Sequence, residues 1–208
     1  IDRATPKKWR KYIKQGIEDW QVAFEAAGFK NAILAADPPT PEEDPEWSPE
    51  DVRYSVVRYL ASPIPNANGP HVSDPRTGEI LESDINWYHN VMTLLRGWFF
   101  VQTAAINPEA RSAEFEDEVM GRLIRFVSAH EVGHTLGLNH NFKGSNLLTY
   151  EEIKNKETTY EKGLCSSVME YPSINFSLEP ENQGLYYDTI PGPYDHWAIR
   201  FAYSQVDE

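Results

Sequence analysis

Apolar residues recur at spacings of three and four in two stretches of this chain, and alternate with polar ones in shorter runs between them. Trp9, Ile13, Ile17, Trp20 and Phe24 form the first stripe. Thr5 and Pro6 ahead of it have the character of a helix cap and first helical residue, and Gly28 that of a stop, so one long helix is predicted. Val119, Leu123, Phe126, His130 and His134 form the second stripe. Ser112 is its expected cap, and Glu114, Glu116, Asp117 and Glu118 are placed to complement the positive end of its dipole. Between the two, residues 30–36 read as a short buried strand and 37–45 as a proline-rich acidic loop. Val52, Tyr54 and Val56 alternate with Arg53 and Ser55, predicting a half-buried strand that continues to Leu60. Residues 71–73 and 79–86 flank Asp74, Pro75, Arg76, Thr77 and Gly78, a hairpin signature. The aromatic run from Trp87 to Ile106 has mixed periodicity and is taken as a helix. Further on, Thr149 with Glu152 forms a capping-box pattern for a short helix through Asn155, and Pro193 opens a helix to Tyr203.

This pattern predicts an α+β fold without internal repeats. A mixed, twisted sheet packs on two long helices in a lobe spanning 1–137, and a loop-rich lobe with one closing helix spans 138–208. The two are expected to be halves of a single domain with a cleft between them.

Composition narrows the functions available. With 208 residues, 40% of them hydrophobic, the chain can bury one sizeable core. It has no run of eighteen apolar residues that would cross a membrane. A net charge of -13 argues against a nucleic-acid partner. Much of the acid falls in residues 42–51 and 114–118, a solvated loop and a helix first turn; a calcium ion in the first is conceivable but lacks the D-x-D-x-D-G spacing. The one cysteine, Cys165, cannot form an internal disulfide, and with no base near it in sequence it reads as a packed small hydrophobe. Ile1 is not a natural start, so the chain is expected to be a piece of a longer one, in which missing targeting segments prove little.

The chemistry is concentrated in His130, Glu131, Val132, Gly133, His134, Thr135, Leu136, Gly137, Leu138, Asn139 and His140. Histidines four apart on a helix share a face and can bind one metal ion. For His140 to join them the helix must end first, and Gly137 is the residue that can turn it. His71 and His89 lack any such spacing and read as surface or packed side chains.

The fixed positions H-E-x-x-H-x-x-G-x-x-H resemble the extended zinc signature of the metzincin metalloproteases. Ser167, Val168, Met169, Glu170, Tyr171 and Pro172 resemble that clan's methionine turn, and the Met-x-Tyr spacing is similar to the astacin and serralysin branches. The stretch 134–145 resembles the catalytic domains of large, poorly characterised bacterial zinc metalloproteases. The resemblance implies a zincin-like fold, one catalytic Zn2+ held by His130, His134 and His140, and an endopeptidase acting on an extended polypeptide. Glu131 would be the general base and then acid, Tyr171 a hydrogen-bond donor to the developing oxyanion, and Met169 an apolar floor beneath the histidines. Asn139, Asn141 and Asp195 are candidates for bonds that orient the ligands. By the same resemblance 79–85 is a candidate edge strand above the cleft, equally readable as an ordinary sheet strand. The location implied is secreted, periplasmic or on a bacterial surface, and a single cysteine is compatible with that. Two alternatives remain at this level: a zinc peptidase restricted to small peptides, and a non-catalytic binding module that keeps the fold. Retention of Glu131 speaks against the second, because a binder has no use for a base there.

Overall fold

A computed structural model describes residues 1–205. Helix α1 (Lys7–Glu18) is followed by α2 (Gln21–Ala26), so the first apolar stripe makes two helices where one was expected. The break has a tertiary cause. At Trp20 the chain tightens, its N–H donating to the Ile17 carbonyl, and this drives the indole into the core, where Nε1 donates to the Ala129 carbonyl at 2.8 Å. Asp19 beside it receives both Nε and Nη2 of Arg125, at 2.7 and 2.6 Å. Thr5 does not cap α1; Pro6 holds that position and no side chain caps it.

Residues 30–36 do not form the expected strand. Their backbone N–H groups are taken by side chains of the helices they lie against, Ala32 and Ile33 by Gln21 Oε1 and Ala35 by Glu18 Oε1. The strand expected over 52–60 begins only at β1 (Val57–Leu60), because Asp51 folds 51–54 into a turn that leaves Val52 and Tyr54 exposed.

The remaining strands are β2 (Ala67–Asn68), β3 (His71–Ser73), β4 (Ile80–Ser83) and β5 (Ile85–Tyr88). β5 lies centrally, parallel to β1 with Val57 opposite Ile85, and antiparallel to β2 with Ala67 opposite Trp87. β3 and β4 form the expected hairpin as a separate two-stranded sheet, but its returning strand, expected over 79–86, ends at Ser83, and Ile85 and Asn86 belong to β5. Thus the edge of the three-stranded sheet beside the histidines is β2, not residues 79–85. The Trp87–Ile106 run also divides: Ile85 and Trp87 point inward with the period of a strand, and helix α3 (Val91–Thr103) starts afterwards.

Helix α4 (Asp117–Thr135) carries the second stripe. Ser112 is not its cap; that residue closes a 3-10 turn over Pro108–Arg111, and α4 starts instead with Asp117 and Glu118 in its first turn. α1 packs along α4 and is tied to it by polar bonds, Ser128 Oγ to the Ile13 carbonyl and Tyr12 OH to Glu118 Oε2. Beyond α4 come α5 (Tyr150–Ile153), α6 (Lys156–Lys162) and α7 (Pro193–Tyr203). Thr149 and Glu152 make the predicted capping box on α5, and Asn155 starts α6.

The arrangement is α+β, helices around a small mixed sheet. One hydrophobic core runs from Trp9 and Ile13 through Trp87, Leu123 and Ile124 to Met169 and Ile199. No helix among the described residues is long and apolar enough to cross a membrane.

Candidate metal centre

The last turn of α4 is closed by a Schellman motif. The Leu138 N–H donates to the Gly133 carbonyl and the Gly137 N–H to the His134 carbonyl, both at 3.0 Å. Gly137 makes this possible with φ of +88°, where a side chain would be strained. The turn redirects the chain so that His140 comes back over the face that carries His130 and His134.

Their Nε2 atoms converge. His140 Nε2 stands 3.0 Å from that of His134 and 3.2 Å from that of His130. Tetrahedral zinc with Zn–N bonds of about 2.0–2.1 Å separates its nitrogens by about 3.3 Å, close to this spacing. Tautomers support the same reading. His130 Nδ1 faces the Val168 carbonyl at 2.8 Å and His134 Nδ1 faces the Leu138 carbonyl at 2.9 Å. Since a carbonyl only accepts, both Nδ1 atoms carry the hydrogen, and both Nε2 atoms present lone pairs to the same point. Two lone pairs and a third ring nitrogen around one point are satisfied together by a cation. Burial holds His130 neutral, pushing its pKa down to about 4, and lowers that of His134. Among the described residues these three histidines are the group able to hold a metal ion.

Beneath them lies the methionine turn. Met169 is fully buried, and its side chain fills the space over Gly133, where a Cβ would stand 2.1 Å from Met169 Sδ. The turn is pinned from α7. Asp195, itself fully buried, accepts from Ser167 Oγ at 2.6 Å, from the Val168 N–H at 2.8 Å and from the Gly192 N–H at 2.8 Å. Asp195 therefore orients His130 at one remove, through Val168, whose N–H donates to Asp195 and whose carbonyl holds the ring. Asn141 ties the segment after His140 to the same turn, its N–H donating to the Met169 carbonyl at 3.0 Å. Asn139 bonds to none of the three ligands and lines a groove beside His134.

Glu131 is 6% exposed, and burial pushes its carboxyl up to about 7 against the opposing pull of the Gly69 N–H. Its Oε2 has no hydrogen-bond partner. Tyr171 lies against the triad, its ring centroid 4.8 Å from His130 and 4.6 Å from His140. Its phenol is raised by burial and by the nearby Glu131 charge.

The structure also brings in residues that sequence reasoning passed over. β2 and its continuation place Asn68, Gly69 and Pro70 in the groove beside His134, together with His71, whose Nδ1 donates to the His134 carbonyl at 3.1 Å. No spacing pattern links this segment to α4. Glu170, buried within the methionine turn, accepts from the Tyr171 and Ser145 N–H groups. His89, by contrast, is remote from the triad and bonds to Tyr59 OH.

Compared with known proteins, residues 112–208 match a family model described as Met-zincin. The chain matches no curated protein and no solved structure. Residues 112–208, just under half of the chain, hold the three ligand histidines and Met169, so the similarity to the Met-zincin family covers both the histidine cluster and the methionine turn.

Proposed function

We propose that this chain is a zinc-dependent endopeptidase, with His130, His134 and His140 as the metal ligands. The observation that carries the reading is a buried carboxylate with an unpartnered oxygen, on the residue that follows the first of three histidines whose Nε2 atoms meet at one point. A zinc ion held by these rings would supply Lewis acidity and acidify a water molecule from a pKa of about 15.7 to near 7.

Glu131 then takes the proton as the water attacks the scissile carbonyl, and delivers it to the leaving amine. Burial raises the carboxyl above its ordinary range, which makes the carboxylate a stronger acceptor for the water proton. Tyr171, whose raised pKa keeps it a phenol, donates to the oxyanion that develops on the carbonyl. Val168 and Leu138 hold the first two ligand rings by their carbonyls, and Met169 excludes water from below. The exposed edge of β2 beside the site offers backbone groups to an extended polypeptide.

A purely binding role fits Glu131 poorly. Leaving a buried carboxylate oxygen unpaired costs about 1–3 kcal/mol, and a binder recovers nothing from it. The decisive experiment combines metal analysis with digestion of an unfolded protein by wild type and Glu131→Gln. Equimolar zinc in both, with turnover lower by a factor of about 1,000 or more in the variant, is the expected result. Equal turnover would remove Glu131 as the base, and zinc-loaded wild type that cuts nothing would leave the binding role.

A further inference from the structure

Phe142 is 69% exposed, although it follows the third histidine by only two residues. Its ring centroid lies 5.6 Å from that of His140 and 6.3 Å from that of Tyr171, which is itself 58% exposed. The three rings make a continuous aromatic surface that ends at the convergence point of the triad.

The exposure does not come from a loose backbone. On one side the Asn141 N–H donates to the Met169 carbonyl at 3.0 Å, and Gly144 closes the turn onto the Asn141 carbonyl at 2.9 Å. On the other, Ser145 N–H donates to Glu170 Oε2 at 3.3 Å and Ser166 N–H to the Gly144 carbonyl at 2.9 Å. The chain thus fixes a large apolar ring in solvent, against the histidine that ends the triad, where it packs with nothing that buries it. Such a ring gains contact only when another apolar group covers it.

We infer that Phe142 is a specificity-determining residue: with Tyr171 it forms a wall that receives a large apolar or aromatic side chain flanking the scissile bond. This rests on the hydrolytic reading above and adds a substrate class to it. The occupant is apolar because two aromatic faces line the wall, and the polar neighbour Asn141 is turned back onto the Lys143 N–H. Acidic side chains are disfavoured further by the net charge of -13.

The test uses an alanine-rich decapeptide series carrying one Phe, Leu, Ala, Lys or Asp, with cuts mapped by mass spectrometry. Wild type should cut beside Phe or Leu with kcat/KM about tenfold or more above the Ala peptide. Phe142→Ala should bring that ratio close to one, and Phe142→Leu should restore most of it. As an exposed position, 142 tolerates both changes. Binding of the labelled Phe peptide to Glu131→Gln protein, with and without Phe142→Ala, separates recognition from cleavage. A wall that recognises apolar side chains predicts binding weaker by about tenfold in the double variant. If nothing is cut but this binding difference persists, the hydrolytic reading fails and the wall stands. Cuts indifferent to side chain, cuts beside Lys, or a preference that survives Phe142→Ala would overturn the inference.

Discussion

Single residues decide how closely the parts of this site approach. Gly133 lies between the first two ligands at a position the zinc signature leaves free, yet Met169 and Trp20 leave no room there for a Cβ. Gly133→Ala is therefore expected to destabilise the fold by about 2–3 kcal/mol and to weaken zinc binding, because the methionine must move from under the rings. Urea unfolding and a competition titration with a chelating dye check the two halves. Cys165 provides a test of burial. Its thiol is pushed up to about 12, chiefly by desolvation. At pH 8 its thiolate fraction is on the order of 10⁻⁴, against roughly a quarter for a free thiol of pKa about 8.5. Iodoacetamide should label the native chain slower than the denatured one by a factor of about 1,000, and faster as pH rises toward the thiol's own value. Equal labelling rates would mean that Cys165 is not shielded. These two packing constraints differ in legibility: the lone cysteine was readable as a buried small residue, whereas nothing in the signature marks Gly133.

Elements whose signals are local were readable from sequence, and those set by tertiary contact were not. The body of α4, the Gly137 turn, the β3–β4 hairpin, the capping box on α5 and the bounds of α7 each depend on residues a few positions apart. The strand expected over 30–36 failed because side chains of α1 and α2 took its backbone donors, and the first helix split because Trp20 had a carbonyl to reach on α4. The link from α7 to the histidines belongs to the same class. Asp195 could be named as a candidate, but its partners in the methionine turn lie 27 and 28 residues away. Asp195→Asn replaces an acceptor of three bonds with a group that must present a donor to one of them. The expectation is a loss of about 2 kcal/mol in stability and a zinc affinity lower by about 10- to 100-fold. Unchanged affinity in dye competition would show that the turn holds His130 without α7.

At the scale of the whole molecule, the triad ties the long helix α4 to the irregular chain beyond Gly137, and the core is continuous across that crossing. Occupancy of the site should therefore stabilise both parts at once. At a thousand times its dissociation constant a bound ion contributes about 4 kcal/mol, which for a chain of this size corresponds to roughly 10 °C in Tm. Calorimetry with zinc and after chelation should show one transition moving by about that amount; two transitions of which only one moves would separate the lobes. The sheet edge beside the site has a different consequence. β2 is only two residues long, and Pro70 just beyond it has no N–H to offer. A guest strand laid along it could form no more than a couple of rungs, each contributing about 1 kcal/mol net. Polypeptides held so lightly would come and go quickly, so KM should be high and fragments should leave without delaying the next cycle.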